Sequence, residues 1–153
     1  MLSARLIKVI EEHAEELTRG VLTDLAANAR TPHFHSLPAD ELHRRVYDVY
    51  HHLGRWVGDK TEEQLEATYG GLGRSRFQEG VPLSEVVYAL VLIKEHLREY
   101  IRAVGLVDSA VELYLEEELH LQIGHFFDKA LYHTVKGYEA AASSAASGRT
   151  RTA

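Results

Sequence analysis

One stripe of side chains limits what this chain can fold into more than any other feature. Leu83, Val86, Val87, Leu90, Ile93, Leu97, Ile101 and Val104 recur at steps of three and four, the spacing of one face of an α-helix. Glu85, Lys94, Glu95, Arg98, Glu99 and Arg102 take most of the other side. Val91 and Leu92 widen the apolar stripe, as in a helix packed on more than one side. Pro82 stands where a first helical turn tolerates a missing N–H. Gly105 stands where a left-handed residue ends a helix. Such a helix has to be covered by others, and the rest of the chain supplies them.

The opening segment, residues 2 to about 28, has Leu6, Ile10, Leu17, Val21 and Leu25 on one face and predicts a single long amphipathic helix. His13 falls between Ile10 and Leu17 on that face and is expected to point inward. A break follows at ARTPHFHSLPAD, where Pro32 and Pro38 bracket His33, Phe34 and His35, with His33 and His35 read as a solvated loop pair. The next helix, about 39–57, turns Leu42, Val46, Val49, Tyr50, Leu53, Trp56 and Val57 inward, with Asp40 and Glu41 favouring its dipole. Thr61 and Gln64 fit a capping box that opens a helix over 62–78. Gly70, Gly71 and Gly73 weaken that helix by roughly 1 kcal/mol each relative to Ala, a weakness that permits a kink or a close helix contact.

The longest helix, about 107–142, carries two neighbouring apolar stripes. One is Val111, Leu115, Leu119, Gln122, Phe126 and Ala130; the other is Ile123, Phe127, Leu131 and Tyr138. Its length exceeds what a domain of this size needs, so part of it is expected to project toward a partner. No segment alternates like a strand. The expected architecture is all-α, a globin-like pack of five or six helices with a long C-terminal helix. Residues 1–140 form the domain and 141–153 a flexible Ser/Ala-rich tail or linker.

With 153 residues, 45% of them apolar, the chain can bury a core. A net charge of −6 argues against nucleic acid as the main partner, because phosphate binding needs a basic face. The absence of cysteine removes thiolate nucleophiles, thiolate metal sites and disulfides. No run of about 18 apolar residues suggests a membrane span, and the cytoplasm is the expected location.

Ten histidines raise the question of metal or haem. A carboxylate di-iron bundle needs two Glu-x-x-His pairs, and only Glu117-x-x-His120 fits. Haem needs an inward histidine in an apolar pocket, for which His96, His13 and His133 are the candidates. A lone histidine on a partly apolar face is more often a hydrogen-bonded core residue, so no metal or cofactor is expected. A haem- or iron-binding helical protein of globin or di-iron type stands as the alternative. Arg74 and Arg76 are candidates to contact an anion or a partner's carboxylate, against the plainer reading of one solvated side chain and one laid over apolar surface. His13, Trp56, Tyr69, His96 and Tyr100 are the candidate lining of a small-ligand pocket between helices. No nucleophile motif or phosphate loop occurs, and no enzymatic activity is expected.

The run YGGLGRSRFQEGVPLSEVVYALV, residues 69–91, resembles the N-terminal domain of the RsbR-type co-antagonists of the kinase RsbT. IEEHAEELTRGVLTDL near the start, ADELHRRVYDVYHHLGRWV and HFFDKALYHTVKGYE agree with it, so the resemblance spans about residues 7–140. It implies a globin-like helical fold without haem, acting as a dimeric sensory input domain in bacterial stress signalling. It also implies a kinase, STAS or sigma-factor-pathway partner. The first and last helices are the expected dimer surface. In that family the domain is usually joined to an output module; none is visible in this sequence, which suits a stand-alone relative or a piece of a longer protein.

Overall fold

The computed structural model describes residues 2–104 and 109–152. Their order is α1 (Leu2–Glu12), α2 (Ala14–Ala27), a 3-10 turn (Pro32–His35), α3 (Ala39–His51), a π-helical turn (Arg55–Asp59), α4 (Glu62–Gln78), α5 (Leu83–Val104) and α6 (Ala110–Thr152). The architecture is all-α, with no strand among the described residues. Gly105 and Val107, expected to end one helix and begin the next, lie outside them.

α5 is the central helix the stripe requires. Val86, Leu90, Ile93, Leu97 and Ile101 are buried, and the Tyr50 hydroxyl of α3 donates to the Ile93 carbonyl at 2.7 Å. Glu85, assigned to the outer side, is instead buried at 5% exposure. It accepts the His33 backbone N–H at 2.8 Å and pairs with the His33 ring. The 3-10 turn that carries His33 folds back over the start of α5, so His33, itself exposed, is tied to a buried carboxylate.

The opening helix is broken into α1 and α2 at His13, whose Nδ1 lies 2.8 Å from the Val9 carbonyl. The bend keeps Leu6, Ile10, Ala14, Leu17, Val21 and Leu25 all on the core while turning His13 outward, contrary to the inward expectation. At the start of α4 the capping box is complete. The Gln64 N–H donates to Thr61 Oγ1 at 3.2 Å, and the Thr61 N–H donates to Gln64 Oε1 at 2.9 Å.

α4 and α6 form the most extensive helix pair among the described residues. Their backbones touch. A Cβ on Gly73 would lie 2.0 Å from the Thr134 carbonyl oxygen, and one on Gly137 would lie 2.1 Å from the Gly70 carbonyl oxygen. The glycines predicted to weaken α4 are what allow this crossing. α6 itself has 43 residues, about 65 Å at 1.5 Å per residue. It runs through the AAASSAAS stretch assigned to a tail, because Ala-rich sequence propagates a helix already nucleated by packing.

Candidate functional site

The side chains that could hold a ligand gather where α3, α4, α5 and α6 meet. The π-helical turn sets the geometry: its wider backbone brings Trp56 inward to near-complete burial. The indole Nε1 donates to Asp48 Oδ2 at 3.1 Å, and the Lys60 Nζ lies 4.8 Å from the centre of the indole ring. Trp56 meets Tyr69 edge to face at 5.6 Å, and both rings meet Phe126 of α6, at 5.6 and 5.9 Å. These offset and edge contacts suit the ring quadrupoles and make a stiff aromatic floor.

Beside this floor lies a half-enclosed cavity of about 310 Å³. Val49, Leu72, Leu90, Ile93 and Phe127 form its apolar walls together with Trp56 and Tyr69, and Arg44, Arg45, Asp48 and Thr68 give it a polar side. A second void of about 40 Å³ adjoins it, lined by Val46, Val86 and Ala89 among others, and shares Arg45, Leu72, Leu90 and Ile93 with the first. Burial first, and the Asp48 carboxylate second, push the Tyr69 hydroxyl above the usual tyrosine range, so it stays a neutral donor.

Of the residues expected to line a pocket, Trp56 and Tyr69 meet here. His13, His96 and Tyr100 do not; they sit along the edge where α2, with His13 at its start, packs on α5. The His13 and Tyr100 rings are 6.1 Å apart, and His96 Nε2 lies 2.9 Å from Asp24 Oδ2. The hydrogen bond from His96, followed by one from Asn28, holds the Asp24 carboxyl below its usual value. The sequence reading missed Arg44, Arg45 and Asp48. All three flank the inward stripe of α3 within one helical turn, a spacing that marks them as neighbours without revealing the cavity beneath.

Arg76 does not offer its charge to a partner. It is 3% exposed, its Nη1 pairs with Glu41 at 3.1 Å and Glu79 at 2.9 Å, and its guanidinium lies over Phe34. Burial alone would raise the Glu41 pKa, but hydrogen bonds from Arg45 and Arg76 outweigh it and the carboxyl lies below its ordinary value. Arg74 is exposed along the α4–α6 groove and makes no ion pair among the described residues.

No histidine lines the cavity. His133 Nε2 is 2.7 Å from Glu62 Oε1, while Glu117 and His120 sit on α6 without a third ligand. Among the described residues no three metal-ligating side chains converge. The lining of the cavity, apolar with one polar side, offers surface for an apolar or amphipathic small molecule.

Residues 11–153 match the family described as the RsbT co-antagonist protein rsbRD N-terminal domain. Comparison with curated proteins and with solved structures finds no match in either.

Proposed function

The chain belongs to the family of RsbT co-antagonist N-terminal domains, a family of regulatory stress-signalling domains, and on that premise we propose that it is a non-enzymatic, dimeric input domain that senses a small ligand without haem. One observation carries this reading: α6 both walls the cavity and holds the exposed apolar surface. Phe127 lines the cavity, while Val111, Leu113, Tyr114 and Leu121 of the same helix stand in solvent. A ligand that fills the cavity better in one packing of α6 than in another shifts the population between the two, and the exposed face reports the shift.

In this reading α1 and α6 pair with their counterparts in a second copy, and α6 passes the change to a kinase, STAS or sigma-factor-pathway partner in the cytoplasm. Exposed Arg74 is then a candidate contact for an acidic partner side chain. Among the described residues no helix is long and apolar enough to cross a membrane.

Light-scattering mass together with an absorption spectrum tests the proposal. The expected result is a colourless, metal-free dimer that Leu121→Glu converts to a folded monomer. A chain that stays monomeric at high concentration, or a Soret band, would overturn it.

A further inference from the structure

The cavity has a chemical polarity that narrows its ligand. Its inner walls are aliphatic, from Leu72, Leu90 and Ile93, and they continue into the second void past the same three side chains. Its polar side carries two guanidiniums and one carboxylate. Asp48 is already engaged: one oxygen accepts the Trp56 indole N–H at 3.1 Å, and the other lies 3.2 Å from His52 Nδ1. Arg45 spends its Nε on Glu41, and Arg44 makes no ion pair among the described residues. The lining itself carries two guanidiniums against one carboxylate, and the Arg44 guanidinium, without an ion pair among the described residues, stands beside the aliphatic walls.

We propose that this cavity binds a single-chain alkyl carboxylate of about eight carbons, its chain along Leu72, Leu90 and Ile93 and its carboxylate on Arg44 and the outer nitrogens of Arg45. This rests on the reading of the chain as a ligand-sensing domain and names the ligand's class. The size fits: a cavity of about 310 Å³ lies at the low end of the roughly 300–1,000 Å³ usual for small-molecule pockets, room for a short alkyl chain. The chemistry fits as well. Arginine offers a carboxylate two parallel N–H donors, and the Tyr69 hydroxyl, held neutral, and Thr68 supply further polar contacts. A shorter chain leaves part of the aliphatic walls uncovered. Leu72, Leu90 and Ile93 line both voids, so a shift of these side chains would let a chain longer by one or two carbons reach the second.

Trp56 is the only tryptophan of the chain and lines the cavity, so its fluorescence reports occupancy directly. Octanoate and 1-octanol are titrated into the full chain, its Arg44→Gln variant and its Leu90→Phe variant. The expected result is saturable binding of octanoate, with octanol about tenfold weaker. Arg44→Gln is expected to weaken octanoate about tenfold and leave octanol unchanged; Leu90→Phe is expected to weaken both. Arg44 is exposed, so its variant folds and tests the charge even where Leu90→Phe, checked by circular dichroism, does not. Equal binding of octanol and octanoate, or an Arg44→Gln variant that binds octanoate as tightly as the parent, overturns the carboxylate assignment. Absence of any change in Trp56 emission with either compound overturns the alkyl ligand altogether. In each of these cases the input-domain reading still stands or falls on mass and spectrum, so the two failures are distinguishable.

Discussion

Residues 110–138 of α6 are one run of helix whose two halves have opposite surroundings. Over residues 123–138, Ile123, Phe126, Phe127, Ala130 and Thr134 are buried, and the backbone rests on α4 through Gly73 and Gly137. Over residues 110–122, Val111 is 69% exposed and Tyr114 63%, with Leu113 and Leu121 also in solvent, while Leu119 alone is fully covered. The second half belongs to the core of this chain. The first presents an apolar face of the kind that marks an interaction surface when it is contiguous. A helix anchored at one part and free at another can carry a change at the cavity to a distant surface without unfolding.

Cutting into each half breaks the comparison most sharply. Phe126→Ala removes a ring shared by Trp56 and Tyr69 and is expected to cost roughly 3–5 kcal/mol in urea unfolding. A loss under about 1 kcal/mol would mean that the aromatic floor is not packed as described. Next come the glycines. Gly137→Ala sets a methyl against the Gly70 carbonyl, backbone that cannot step aside, and is expected to destabilise by roughly 1–3 kcal/mol.

Gly124→Ala has nothing within 4 Å of its new Cβ and is expected to stabilise by roughly 0.8 kcal/mol through helix propensity alone. Finding the same sign for the two would mean that the close approach of Gly137 to the α4 backbone does not decide which residue α6 tolerates there. Leu121→Glu is expected to change monomer stability by no more than about 0.5 kcal/mol while halving the measured mass.

The smallest contrast is in acid. Burial holds His120, in the free half, below its ordinary value of 6.5, with smaller opposed influences from Glu116, Arg98, Arg102 and Glu117. The unfolded chain takes up that proton more readily. The contribution of His120 is therefore complete above pH 6.5 and is lost as pH falls below it toward the lowered folded value. In the anchored half, the hydrogen bond from His133, and then that from Lys129, lowers the Glu62 pKa from 4.5. Its contribution holds above pH 4.5 and fades only as pH falls through the lowered value. Unfolding followed between pH 7 and 3 should show the first loss vanish in His120→Gln and the second in Glu62→Gln. A single acid transition unmoved by either substitution would dismiss both assignments.

Much was legible in the linear chain because its cause is local. The steps of three and four that bury Val86, Leu90, Ile93, Leu97 and Ile101 are a property of helix geometry, and the Thr61–Gln64 box closes within one turn. The glycines of α4 announced a close contact because no other residue type permits one. The resemblance running through residues 69–91 foretold the family that matches residues 11–153.

What had to wait for the fold depends on residues far apart in sequence. Glu85 is buried only because His33, 52 residues away, folds over it. Trp56 and Tyr69 share a cavity while His13, His96 and Tyr100 share another edge, a division decided by the bend at His13 and the π-helical turn. Periodicity assigns a side chain to a face of its own helix. Which neighbour that face meets, and whether a hollow is left between them, follows from crossing angles and packed volumes that no single helix contains.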